Sequence, residues 1–195
     1  MYKTISNEII RQFQPCYDPS DVIKDENEEL PIKDWVQKYR NVVPAKDIVW
    51  LLLKDEFLSE KDLRLFSVWC AREALKLVEN PDERSIEACD VAERYANGEA
   101  TKEDLLVARH AADHAADAAY VAYATDADYN VVYHAYYAAY YATRATSYAA
   151  YAAYGASYEA SIAAYIAYAT RNGDNAAVYD AIRSAQLEQL LIYFE

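Results

Sequence analysis

Residues 111–170 contain 24 alanines and 14 tyrosines. Alanine has the highest intrinsic helix propensity, so backbone preference alone commits this tract to helix. One unbroken helix over 105–170 would run roughly 90–100 Å at the standard rise, too long for a compact unit. The expected breaks fall near Thr125-Asp126 and Gly155, with Asp126 and Ser157 as caps. They give helices near 102–124, 127–154 and 157–171. The turn RNGDN (171–175) precedes a last helix that starts at Asp174 or Asn175 and ends about Leu191.

The tyrosines are spaced, not scattered. Tyr151, Tyr158 and Tyr165 recur every seven residues, while Tyr133, Tyr136, Tyr137, Tyr140 and Tyr141 follow three/four spacing. Large rings alternating with methyl groups let one helix lay its rings over the alanine face of another. A tyrosine can also bury its ring and present its hydroxyl outward, which suits a binding face. Packing is the main expectation for the tract. Tyr137, Tyr141, Tyr151, Tyr158 and Tyr165 are the candidates for protein contact.

The remainder reads as helical too. Only 3 glycines and 5 prolines interrupt 195 residues, few enough to imply short connections. A short helix is expected within residues 1–14, then an exposed acidic connection, then helices opening at Pro31 and Pro44. In FLSEKDLRLFSVWCAREALKLVEN, Leu63, Phe66, Trp69, Cys70 and Leu77 mark an apolar face, with Ser59 as N-cap and Asn80-Pro81 as the stop. SIEACDVAERYANGEA gives a helix whose apolar marks are Ile86, Cys89, Val91 and Tyr95 and which Asn97-Gly98 closes. Thr101 with Asp104 caps the following helix. The fold class expected is all-α, a compact bundle with long alanine/tyrosine-rich helices. An irregular N-terminal segment (1–40) precedes a helical domain (41–195).

The net charge is −13. Phosphate recognition needs a basic face, so neither nucleic acid nor an anionic membrane is an expected partner. The acids gather at 18–34, 55–62 and 79–104. Three widely spaced cysteines do not make a disulfide framework, and Cys70 and Cys89 read as buried thiols. The first residues lack a secretory pattern, and a reducing cytoplasm is the expected location.

Catalytic motifs are weak. Gly98, Gly155 and Gly173 are isolated and cradle no phosphate. His110 and His114 stand one helical turn apart, with Asp113 and Asp117 beside them and His134 further on. Imidazoles at this spacing can hold a transition metal. The same spacing equally serves polar pairing along a helix. Asp113, Asp117, Asp126 and Asp128 could pair with Arg109 and Arg144 between helices. No cofactor and no enzymatic activity are expected.

Residues 57–119 resemble a group of alanine-rich, all-helical bacterial and phage proteins, some of them labelled immunity proteins. The resemblance rests on Leu65, Phe66, Trp69, Cys70, Ala71, Arg72 and Glu73 in one helix. Val91–Tyr95 follow in the next, with Glu93 and Arg94 as its charged pair. It covers about residues 42–170. Such proteins look richer in tryptophan, arginine and aspartate along the tract, where this chain has tyrosine. The resemblance implies a non-catalytic protein that binds and blocks a protein effector, a basic one given the charge. The alternatives are a metal- or small-ligand-binding helical protein and a homo-oligomer packing its tyrosine faces together. Arg72, Glu73, Glu93 and Arg94 fit a structural role equally well, because an interhelical Arg–Glu pair locks a hairpin.

Overall fold

A computed structural model describes residues 1–76, 78, 80–125, 136, 139–140 and 175–194. Among the described residues the protein is helical apart from one two-stranded ribbon. The α-helices among the described residues are α1 (Asn7–Gln12), α2 (Ile32–Tyr39), α3 (Ala45–Leu52), α4 (Glu60–Leu75), α5 (Glu83–Ala96), α6 (Lys102–Thr125) and α7 (Asn175–Leu191). The chain forms two compact units, 1–59 with 183–195, and 60–182.

In the first unit, β1 (Thr4–Ser6) pairs antiparallel with β2 (Glu29–Pro31), in the register Ile5 opposite Leu30. The strands replace part of the helix expected over residues 1–14. Ser6 ends β1 and caps α1, its hydroxyl accepting from the Ile9 amide at 3.3 Å. Pro31 and Pro44 stand immediately before α2 and α3. Their fixed φ is already set for the entry to a helix. Ile5, Trp35, Val36, Ile48 and Leu52 are wholly buried here, as are Leu187 and Leu190 from the second half of α7. Tyr2, Phe13 and Phe57 form an aromatic cluster with ring centroids 5.4–6.4 Å apart.

In the second unit, α5 packs against both α4 and α6. The contact surfaces are made of small residues: Ala71 and Ala74 on α4, Ala88, Cys89 and Ala92 on α5, Ala108 and Ala112 on α6. Small side chains let helix axes approach closely, and the larger Val68, Leu75, Val91 and Leu105 fill the space around them. Phe66 and Leu63 are buried as expected, and burying such a side chain contributes about 1.5–3 kcal/mol. Ile86 departs from expectation. It is 41% exposed, and Ser85 takes the inward position instead. A second small cluster joins Ala115, Ala116 and Ala139, with the half-buried rings of Tyr136 and Tyr140 packed on it. At these residues the ring-over-alanine arrangement is realised.

Helix ends follow local chemistry. At the end of α5, Gly98 adopts φ +78, a left-handed conformation that a side chain would strain. Its amide donates to the Tyr95 carbonyl, and the Glu99 amide donates to the Arg94 carbonyl at 2.8 Å. This is a Schellman closure. At the start of α6, the Asp104 amide donates to Thr101 Oγ1 at 3.1 Å. The Thr101 amide donates back to Asp104 Oδ2 at 2.8 Å, completing a capping box with aspartate in the glutamate's place. α4 ends at Leu75, earlier than the Asn80-Pro81 stop.

Candidate binding surface

The α4–α5 hairpin is pinned by charge. Arg72 Nη2 donates to Asp90 Oδ1 at 2.8 Å and to Glu93 Oε2 at 2.6 Å, both on α5. Arg64 is buried within the apolar side of α4. Its guanidinium stacks over the Tyr95 ring at 5.0 Å while Nη2 reaches Glu60 Oε1 at 3.0 Å. The ring's electron-rich face and the carboxylate make a buried charge tolerable there. The other motif residues act locally. Glu73 pairs with Lys76 one turn on, Arg94 pairs with Glu87 at 3.3 Å, and Phe66 stacks on Trp69 with centroids 6.0 Å apart.

The outer side of this hairpin is acidic. Glu83, Glu87 and Asp90 occupy one exposed stripe of α5, four and three residues apart, opposite the buried Ala88, Cys89 and Ala92. Glu99, Glu103 and Asp104 continue the exposed acids around the α5–α6 turn, with Lys102 among them. The arginines nearby are engaged within the chain: Arg72 with two carboxylates, Arg84 with Asp82, Arg94 with Glu87. Two stripe carboxylates are thus paired, Asp90 with Arg72 and Glu87 with Arg94, while the exposed Glu83, Glu99 and Glu103 have no ion pair among the described residues and leave the face net negative.

The described candidates for a metal site all lie on α6. His110, His114 and Asp117 are exposed on α6, and Asp113 pairs with Arg109 of its own helix at 3.8 Å. The Arg109 pair is thus within one helix, not between two as expected. Among the described residues, no three His, Cys, Asp or Glu side chains come together as a metal site. His134 lies outside the described residues, as do Asp126, Asp128, Arg144 and the five candidate contact tyrosines, Tyr137, Tyr141, Tyr151, Tyr158 and Tyr165.

Nucleophilic chemistry finds no support at the buried thiols. Cys70 and Cys89 are wholly buried and unbridged, and Cys16 is exposed. Burial pushes the Cys89 thiol up to about 12, only partly offset by Arg72. A thiol held protonated at neutral pH is a poor nucleophile. Ser85, also wholly buried, lines a cavity of about 240 Å³ with Leu75, Pro81, Ala115 and Ala139. Its hydroxyl has no hydrogen-bond partner among the described residues.

Sequence reasoning missed Asp90, the second acceptor of Arg72. Its signal is positional, since Asp90 and Glu93 sit three apart on one helical face. Among the described residues, no helix is long and apolar enough to cross a membrane. Compared with known proteins, the chain matches no family model, no curated protein and no solved structure.

Proposed function

We propose that this chain is a non-catalytic, acidic helical protein that binds a basic protein effector and blocks it, in the manner of an immunity or phage counter-defence protein. The observation that carries this reading is the net negative, exposed face of α5 and the α5–α6 turn, where Glu83, Glu99 and Glu103 have no ion pair among the described residues while Glu87 and Asp90 pair with Arg94 and Arg72. A preorganised negative face attracts a basic partner, speeds encounter and repels nucleic acid. Packing of α5 against α4 and α6 holds the stripe in a formed helix, which lowers the ordering cost of docking. The resemblance of residues 57–119 to proteins labelled immunity proteins points the same way. The test is affinity capture by the tagged chain from its native host at low salt, with bound proteins identified by mass spectrometry. A basic protein recovered at low salt and released at high salt supports the reading. Recovery of this chain alone contradicts it.

A second reading, self-association, is favoured by the exposed apolar residues Leu106 (45%), Val107 (69%) and Val121 (62%) on α6. Val107 and Val121 are fourteen residues apart and so share one helical stripe. Sedimentation velocity over a concentration series decides it: a single monomer species removes this reading.

A further inference from the structure

Within the first unit, the segment after α1 and the first turns of α3 enclose a groove of about 280 Å³. Its lining is Gln14, Pro15, Cys16, Tyr17, Asp47 and Trp50. Gln14 turns the chain there with φ 50, a left-handed conformation that costs a non-glycine residue, and so brings Pro15–Tyr17 back across α3. Asp47, in the first turn of α3, is half-buried, and its carboxylate has no hydrogen bond or ion pair among the described residues. Burial raises its affinity for a proton, with Lys46 only partly opposing. The Tyr17 phenol is raised as well, by burial first and then by the Asp47 charge close by.

A carboxylate drawn partly out of water gains from a cation placed beside it. The walls around it are flat and apolar: the Pro15 ring, the half-buried Tyr17 and the half-buried Trp50. Such walls suit the methylene stem of lysine or the plane of arginine, which pack on apolar surface while the charged head seeks a polar partner. Trp50 already takes one cation, the Lys54 ammonium 4.3 Å from its ring centroid. Lys54 does not line the groove, so the Asp47 side is left for a cation from outside.

We propose that this groove receives a lysine or arginine side chain of a basic partner protein, with the Asp47 carboxylate taking the charged head and Tyr17 and Trp50 flanking the stem. The proposal rests on the reading of the chain as an acidic binder of a basic effector, and adds to it a defined anchoring point.

Cys16 supplies a local reporter, because it lines the groove and is exposed while Cys70 and Cys89 are buried. The probe is a pentalysine peptide, with pentaglutamate as control. Two measurements are made on the full chain: peptide affinity of the unaltered protein and of Asp47→Asn by fluorescence anisotropy, and the alkylation rate of Cys16 with and without peptide. Loss of one charge-assisted contact predicts weakening of about tenfold in Asp47→Asn. Saturating pentalysine, but not pentaglutamate, is expected to slow Cys16 alkylation several-fold. Attraction to the acidic surface at large would leave the Cys16 rate and the effect of Asp47→Asn unchanged, and that result overturns the proposal. Undiminished capture of a basic partner by Asp47→Asn would remove the groove while leaving the functional reading. Absence of any basic partner would remove that reading, while the peptide result still decides the groove.

Discussion

Arg72 on α4 reaches Glu93 on α5 at 2.6 Å, and the same nitrogen also holds Asp90 at 2.8 Å. All three side chains keep substantial exposure to water, 40% for Arg72, 50% for Asp90 and 42% for Glu93. Screening therefore limits what each pair contributes, and Arg72→Ala is expected to cost only about 0.5–1.5 kcal/mol. Urea unfolding measures it. The charge-reversed pair Arg72→Glu with Glu93→Arg should recover part of the loss and lose its advantage in high salt. A cost above about 4 kcal/mol would mean that Arg72 acts as a buried charge.

The capping box at α6 gives a second expectation. Thr101 accepts from the Asp104 amide at 3.1 Å. Removing that acceptor in Thr101→Ala should cost about 1 kcal/mol in the unfolding midpoint experiment. Thr101→Ser should be close to neutral. Equal loss in both variants would show that the threonine methyl, not the hydroxyl, matters.

The alanine face is expected to resist enlargement. Ala112 is wholly buried where α5 meets α6, and Ala116 belongs to the alanine cluster on which Tyr136 and Tyr140 pack. Ala112→Leu forces overpacking and should destabilise by about 1–3 kcal/mol. Val107→Ala, on the exposed stripe of the same helix, should change stability by less than about 0.5 kcal/mol. Comparable effects at both positions would contradict the packing described here.

Asp18 predicts an acid limb. Its carboxyl is held down to about 2 by hydrogen bonds from Ser20 and then from Arg11. A carboxyl whose folded pKa is depressed stabilises the fold above its unfolded value, near 4. That stabilisation is lost as pH falls through the folded value. The window is therefore about pH 4 down to 2, and Asp18→Asn should flatten the stability curve there. An NMR titration midpoint for Asp18 near 4 would contradict the assignment.

Thiol reactivity separates the three cysteines. In the folded chain, Cys16 should react with a maleimide freely, and Cys70 and Cys89 only after denaturant is added. Mass spectrometry of the labelled peptides reads this directly. Labelling of Cys89 at the Cys16 rate would mean that the α4–α5–α6 core opens readily.

Much of this architecture is legible in the residues because it is local. Asn97-Gly98 ends α5, Thr101 with Asp104 starts α6, and Asn175 starts α7, all within a few residues of the signal that sets them. The β1–β2 ribbon is not legible in that way. Its strands are three residues each, and they pair Thr4 with Pro31, far apart in sequence. Ile86 and Ser85 exchange their expected sides because periodicity over one helix leaves the phase of the buried face uncertain by about one residue. The pairing of Arg72 with α5 follows from an arginine and an acidic stripe on neighbouring helices. The Asp47 groove does not, since Tyr17 and Asp47 come together only through the turn at Gln14.

An acidic α5 stripe that binds a basic protein and blocks it must lower that protein's own activity. The most direct measurement titrates the captured partner's own activity against this chain, and against the chain carrying Glu83→Gln, Glu87→Gln and Asp90→Asn together. Full inhibition is expected near one equivalent of the unaltered chain, with at least about tenfold more of the triple variant needed for the same effect. A partner that keeps its activity when fully bound, or that is inhibited equally by both chains, would contradict it.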